Sequence, residues 1–243
     1  MTTQSSLKRT DAILPAVIIA AAIAYGYYVL NYPMDKMVAN FVTLNLIFTS
    51  LRRHLYLISV SSCLAIATAA PLGILLTRPM FKKFCPIVVG AVNICQTIPS
   101  FAVIALFVGI LGIGPGTAIV ALWVYSLLPI LNNTIAGING LDPAVIDAAR
   151  GMGMTKFRTL YKIEIPLAMP VIMAGIRTAV VINVATAVIA AYVGGGGLGD
   201  IIIAGKNINR WQVLLLGAGY ATFIALLFDY LLGIAERLMG SGE

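Results

Sequence analysis

Long stretches without any charged residue constrain this chain more than any other feature. The longest, Phe84–Leu141, runs for 58 residues without Asp, Glu, Lys or Arg, and Ala12–Met34 and Leu55–Thr77 add 23 residues each. A soluble domain carries roughly 25% charged residues, whereas this chain carries 10%, with 60% hydrophobic residues. The sequence therefore predicts an integral membrane protein without room for a sizeable soluble module.

The uncharged runs also predict how many times the chain crosses the membrane. A helix needs about 20 apolar residues to span the hydrocarbon layer, and the breaker Gly112–Gly116 divides the longest run in two. A strand barrel would show alternating segments of about ten residues instead, and the sequence has none. We expect an all-α membrane protein with about six transmembrane helices, near residues 12–31, 55–77, 86–111, 117–137, 170–193 and 211–236.

The first run has two readings, a cleaved signal peptide or a retained anchor. Lys8 and Arg9 precede it and Ala22–Ala24 resembles a small-residue cleavage site, but apolar residues continue to Leu30, which favours an anchor. Three cysteines without spaced pairs and the single histidine, His54, predict neither a disulfide framework nor a zinc site.

The distribution of Lys and Arg predicts the orientation of the chain. Short loops rich in these residues stay in the cytoplasm, and a cytoplasmic N-terminus places ten of them inside and five outside, with Arg177 within a span. This distribution accounts for the net charge of +7 without requiring that the protein bind nucleic acid. Arg52 and Arg53 are the exception, and we expect them on an outer-surface helix before the second span. Asp147–Pro170 then belongs to a cytoplasmic loop.

This loop is unusually polar for the chain and has a helical pattern. Asp142-Pro143 predicts a helix start, Gly151–Gly153 a break, and Thr155 the cap of a second helix. Spacings of three and four residues place four apolar side chains on one face of that second helix: Met154, Phe157, Leu160 and Tyr161. The pattern fits insertion into a groove on a soluble protein and fits equally a loop lying on anionic lipid headgroups.

A family resemblance favours the first of these readings. Asp147-Ala148-Ala149, Gly153 and Ile163–Pro166 resemble the signature loop of the membrane subunits of bacterial ATP-binding-cassette (ABC) importers. That signature is Glu-Ala-Ala, three residues, Gly, nine residues, then Ile, any residue, Leu-Pro; here Asp replaces Glu and Ile replaces Leu. In the family this loop is the coupling helix that docks on the ATP-binding subunit.

Other segments narrow the resemblance to permeases for osmoprotectants such as glycine betaine, choline and carnitine. The similar segments are Pro71–Ile74, Gln96–Ser100, Gly151–Thr155, Pro170–Ala179 and Gly194–Asp200. Methionine-uptake permeases share the glycine-rich piece and the surroundings of Arg177 but match Gln96–Ser100 less well. An amino-acid importer of the methionine type is therefore the alternative within this class.

The resemblance implies a division of the chain and a set of partners. It implies an anchor helix with an outer amphipathic segment in 1–53 and a type I ABC importer permease domain in 54–239, with the coupling loop at 142–166. It also implies two cytosolic ATP-binding subunits, a second permease subunit, an extracytoplasmic solute-binding protein and the bacterial inner membrane. The residues it implies for ATPase coupling are Asp147, Ala148, Ala149, Arg150, Gly153, Phe157, Leu160, Tyr161, Ile163 and Pro166.

The sequence itself favours an external source of energy. It contains no G-x-x-x-x-G-K-[ST] loop of the kind that cradles phosphates, so we expect no ATP site, no cofactor and no enzymatic activity in this chain. Gly194, Gly196 and Gly199 satisfy G-x-G-x-x-G but follow an uncharged run rather than a strand. We interpret them as the outer turn after the fifth span.

Polar residues within spans give the remaining candidates. Arg177 lies seven residues past Pro170 and Asp229 seven before Glu236, so each lies roughly 10 Å in from the same side and an ion pair is expected. A channel, the alternative from another class together with a membrane scaffold, would need a charged ring or filter loop. Six residues could line a substrate path or instead bond between helices: Asn93, Gln96, Ser100, Asn183, Thr186 and Tyr192.

Overall fold

The computed structural model describes residues 10–240, and within them the chain is helical, without strands. Lys8 and Arg9, which contribute to the predicted orientation, lie outside the described residues. Eleven α-helices follow one another in these residues: α1 Thr10–Asn31, α2 Lys36–Phe41, α3 Leu44–Leu76, α4 Cys85–Thr97, α5 Ser100–Leu111, α6 Pro115–Asn139, α7 Pro143–Gly151, α8 Lys156–Thr159, α9 Ile165–Ala187, α10 Leu198–Asn207 and α11 Trp211–Gly240.

Five described helical segments are long and apolar enough to cross a membrane, which confirms five of the six predicted spans: α1, α3, α6, the continuous segment Lys156–Ala187 and α11. The prediction of one helix over residues 86–111 is wrong in detail. That region is two helices, α4 and α5, bent by 101° at Ile98-Pro99. Proline cannot donate a helical hydrogen bond and disfavours helical backbone in the residue before it, and Ile98 is extended.

The second spanning helix, α3, is longer than predicted. It runs unbroken for 33 residues from its cap at Thr43, whose hydroxyl accepts a hydrogen bond from Leu46 N–H at 3.1 Å. Arg52 and Arg53 therefore lie within the helix of the second span, and the expectation of a separate outer helix before it is wrong. The proposed domain boundary between residues 53 and 54 does not coincide with a break in the backbone.

The centre of the bundle is formed by α3, α6 and α9, which pack against one another along their lengths. Leu57, Leu122 and Val184, one from each helix, are fully buried in the largest apolar cluster. The last helix, α11, packs on α9, while α10 and α1 both pack on α11. The contact between α1 and α11 includes Tyr220, whose hydroxyl donates to the Ala22 carbonyl at 3.2 Å.

Polar contacts fasten the connection after α1 to the start of α11. Asp35 forms an ion pair with Arg210, and the Gln212 side chain bonds to the Tyr32 carbonyl at 2.9 Å and Met34 N–H at 2.8 Å. The pKa of the Asp35 carboxyl lies below its ordinary value because Val38 N–H, and then Arg210, bond to its charged form. These contacts hold the end of α1 against the rest of the bundle.

Candidate functional site

The loop between α6 and α9 begins with a short capped helix. The Asp142 side chain accepts a hydrogen bond from Ala144 N–H at 2.8 Å, and Pro143 occupies the first helical position of α7. The Thr155 hydroxyl accepts from Arg158 N–H at 3.3 Å and caps α8. Both predicted caps are thus confirmed. Between the helices Gly153 has a φ of 78°, a conformation that glycine adopts without steric cost.

The second helix of the loop is continuous with the membrane span. From α8 the backbone passes through a π-helical segment, Leu160–Glu164, directly into α9. Lys156–Ala187 is therefore one helical rod of 32 residues. A π-helical turn is wider than an α-helical one and occurs often at functional sites. Any displacement of α8 is transmitted to the span without an intervening flexible linker.

The loop exposes large apolar side chains, which we call the coupling surface and define as Met152, Phe157 and Tyr161. They are 71%, 78% and 68% exposed, respectively. Leu160, which sequence spacing places on the same face as Phe157, is half-buried at the start of the π segment. Large apolar side chains exposed in a loop between spans suit protein or membrane contacts.

The remaining coupling candidates surround this surface. Ala149 is buried and Ile163 half-buried, so they support the loop from beneath. The ion pair between Asp147 and Arg150 has a 3.7 Å separation and both side chains are largely exposed, so it adds little stability. The candidates that are exposed are Asp147, Ala148, Arg150, Gly153 and Pro166.

An ion pair that the sequence analysis did not predict fixes the base of the loop. The buried Glu164 carboxylate pairs with Arg78, which follows the C-terminal end of α3. Arg78 also donates to the Thr77 hydroxyl at 2.9 Å. The sequence offers one indication of this role, because Glu164 is a charged residue between two isoleucines at the end of the loop. The pair connects the coupling loop to the second span.

A second ionic cluster joins α9 to α11. Arg177 donates to both carboxylate oxygens of Asp229, at 2.7 and 2.9 Å, and to Glu236 at 3.3 Å. The two residues that the sequence places at equal depth therefore pair in the structure. Glu236 was not predicted as a member, although it lies two helical turns after Asp229 on the same face. A charged group in a span needs such partners.

The candidate path residues do not form one hydrogen-bonded group among the described residues. Asn183 is buried, and its amide donates to the Ser61 and Ser62 hydroxyls at 2.7 and 2.9 Å, linking α9 to α3. Thr186 bonds to its own helix at the Ile182 carbonyl. These contacts correspond to bonding between and within helices rather than to an open polar lining.

The other path candidates lie near the bend between α4 and α5. Gln96 donates to the Tyr125 carbonyl at 2.9 Å, and the Tyr125 hydroxyl donates to the Ile98 carbonyl beside the bend. Ser100 begins α5, and Asn93 is exposed on α4. Tyr192 meets Phe101 edge-to-face, with ring centroids 5.6 Å apart. Sequence reasoning missed Phe101, Tyr125 and the two serines because only their helix partners reveal them.

Comparison with known proteins places these features in a family context. The chain is 45% identical over 184 residues to the glycine betaine/carnitine/choline transport system permease protein OpuCB of Bacillus subtilis (strain 168), covering 76% of this chain and 84% of the relative. It is 44% identical over 181 residues to the osmoprotectant import permease protein OsmY of Salmonella typhimurium, covering 74% and 77%.

The fold has solved counterparts. An inward-facing structure of the MetNI methionine ABC transporter contains a chain that matches with a TM-score of 0.73 and 23% identity, covering 80% of this chain and 96% of that one. The model of the family described as the binding-protein-dependent transport system inner membrane component matches residues 69–241. The chain therefore belongs to the family of inner membrane components of binding-protein-dependent transport systems.

Proposed function

We propose that this protein is the permease subunit of an ATP-driven importer of quaternary-amine osmoprotectants such as glycine betaine, choline and carnitine. The observation that carries the proposal is the coupling surface, because its exposed Phe157 and Tyr161 lie at the start of a rod that continues into the bundle. The names of the relatives supply the solute class. The orientation with a cytoplasmic N-terminus is part of the proposal.

The coupling surface suits a protein groove better than open solvent. Phe157 and Tyr161 are aromatic, and aromatic side chains dominate the energetics of protein interfaces. Burying them in a groove removes apolar area from water, at about 25 cal/mol per Å². The partners would be two cytosolic ATP-binding subunits, one under each permease of a dimer, with a solute-binding protein delivering solute from outside.

Two connections would carry the movement of the ATPases into the membrane. The rod Lys156–Ala187 moves α9 directly, and the Arg78–Glu164 pair moves α3 with it. Because α3, α6 and α9 form the centre of the bundle, rocking these helices would alternate the access of the path between the two sides. Arg177 and its two carboxylate partners would keep α11 joined to α9 during the motion.

The solute class also agrees with exposed aromatic groups near the bend. Phe101 and Tyr192 are both more than half exposed, and aromatic faces attract quaternary ammonium groups. The similarity to MetNI concerns the fold alone, since the identity is only 23%. Among residues 10–240, no feature favours methionine over a quaternary amine.

The test is uptake of labelled glycine betaine, choline, carnitine and methionine by cells that express this chain with its neighbouring genes. Cells lacking only this chain provide the matched control, and ATP depletion separates active import from passive flux. We expect ATP-dependent accumulation of at least one quaternary amine that requires this chain. Accumulation of methionine alone would overturn the solute class, and flux independent of ATP would overturn the importer.

A further inference from the structure

The N-terminal half of α3 contains a recess that the proposed coupling does not use. Its volume is about 410 Å³, and it is lined by Thr49, Arg52, Arg53 and Tyr56. Arg52 and Arg53 are adjacent arginines in α3, just before the uncharged run Leu55–Thr77, and a recess lined by two cationic side chains can accept an anionic partner. The two arginines differ in whether the chain supplies that partner.

Arg53 has its interactions within the chain. Its Nε donates to the Gly195 carbonyl at 2.9 Å, in the glycine turn after α9. Its guanidinium lies 5.7 Å from the centre of the Tyr56 ring, and the Asp200 carboxylate acts on it electrostatically. Arg53 therefore helps to hold the wall of the recess.

Arg52 is exposed, and within residues 10–240 it has no ion pair or hydrogen bond. Arg78, Arg177 and Arg210 differ, because each pairs with a carboxylate of this chain. A guanidinium presents a planar set of donors that matches a carboxylate in a bidentate arrangement. The Arg52 guanidinium is therefore free to bind an anionic group from outside the described chain.

We infer that Arg52 binds the carboxylate of a zwitterionic solute during its passage, with Tyr56 beside the solute's quaternary ammonium. This inference rests on the proposed function. Glycine betaine and carnitine carry both groups within a few bonds of each other, so a carboxylate on Arg52 brings the ammonium within reach of the half-exposed Tyr56 ring. The recess also adjoins the glycine turn that follows the path candidate Tyr192.

Choline provides a sharp test because it has the quaternary ammonium but no carboxylate. Uptake of glycine betaine, carnitine and choline is measured with the complete importer carrying Arg52→Gln or Arg52→Lys. Lys206→Gln is the matched control, since it removes one positive charge from an exposed position on α10. The amount of each variant in the membrane is measured by immunoblotting, and rates are normalised to it.

We expect Arg52→Gln to lower the transport efficiency for glycine betaine and carnitine about tenfold or more, as for a lost charge-assisted hydrogen bond, and to leave choline within about twofold of the wild-type efficiency. Arg52→Lys should retain part of the uptake that Arg52→Gln loses, because an ammonium keeps the charge but not the bidentate arrangement, and Lys206→Gln should change none of the three. Equal losses for all three solutes would overturn the inference, because they indicate a structural or lipid-binding role.

Undiminished uptake of glycine betaine and carnitine by Arg52→Gln would also overturn the inference that Arg52 binds the solute. If the wild-type importer accepts choline alone, the inference fails while the proposed function stands. If the wild-type importer accepts glycine betaine and carnitine but not choline, the test compares Arg52→Lys with Arg52→Gln. Equal losses of uptake in these two variants would overturn the inference, because they would exclude recognition through charge. A wild type that accumulates no quaternary amine would instead refute the proposed function.

Discussion

Two glycine-containing turns of this protein, at Gly153 and at Gly194–Gly197, place different demands on their glycines. A Cβ atom added at Gly153 would meet nothing within 4 Å, and only its φ of 78° requires glycine. A Cβ atom at Gly195 would lie 2.7 Å from the Ala190 carbonyl oxygen and 2.9 Å from the Ala118 Cβ atom. The first turn needs glycine for its backbone shape alone, whereas the second also needs space, since Gly194, Gly196 and Gly197 have positive φ as well.

The difference indicates what each turn does. The turn at Gly195 is enclosed by its own molecule, through Arg53 and through Gly114 N–H, which donates to the Val193 carbonyl at 2.8 Å. The turn at Gly153 has no such neighbours, so its conformation matters mainly to whatever approaches the coupling surface. Substitutions in the two turns should therefore affect different measurements.

The largest expected effect is on uptake, in Gly153→Asp. Aspartate tolerates a left-handed conformation better than most residues, so the main effect is that its charge would enter the proposed ATPase contact. We expect uptake to be abolished while the amount of protein in the membrane is unchanged. Gly153→Ala is the control, because it introduces at least the same backbone strain without a charge. Undiminished uptake by Gly153→Asp would argue against docking at this loop.

The next largest effect is on stability, and it is measured by replacing one glycine in each of the two turns with alanine. Gly195→Ala should destabilise the protein by about 3 kcal/mol, because the new methyl group overlaps backbone and two alanine side chains. Gly153→Ala should cost only about 1 kcal/mol, since it introduces strain without overlap. Thermal unfolding of the purified protein in detergent measures both. Equal losses of stability in the two variants would show that the turns do not differ in the space available to a side chain.

A smaller effect is expected from Phe157→Ala on assembly. Removing an aromatic contact from the centre of an interface costs about 1.4 kcal/mol or more, a tenfold loss of affinity, measured by co-purification with the ATPase subunits. The control is Ile113→Ala, because Ile113 and Phe157 are both 78% exposed but Ile113 lies in the turn between α5 and α6. If both variants weaken assembly alike, the coupling surface is not specific.

The smallest effect concerns the cap of α7. Asp142→Ala removes the bond to Ala144 N–H, which should cost roughly 1 kcal/mol of local helix stability and lower the uptake rate by a factor of about two to five. Asp142→Asn keeps an accepting oxygen and should restore the rate. If the alanine and asparagine variants transported equally slowly, the charge rather than the cap would matter.

Counting uncharged residues predicted most spans because each crosses the membrane as one apolar helix. It missed the bend at Ile98-Pro99 because a bend changes no charge. Proline alone would not have revealed it either, since Pro71, Pro129 and Pro170 lie inside continuous helices.

In the coupling loop, local features were predictable and distant ones were not. The caps at Asp142 and Thr155 act over two or three residues, so the sequence contains them. The Arg78–Glu164 pair joins residues 86 positions apart, and only the packing of the helices brings them together. The Arg177–Asp229 contact could be anticipated because two rare intramembrane charges lie at matching depths.

The π-helical segment Leu160–Glu164 has a consequence for how this protein can change over evolution. Each residue of an α-helix turns the chain by 100°, so deleting or adding one residue there would rotate Phe157 by about that angle relative to the membrane-embedded face of α9. Substitutions at the docking end can accumulate one at a time. A change of length in this segment would instead misalign an entire interface in a single step, so the segment should vary in composition but keep a fixed length.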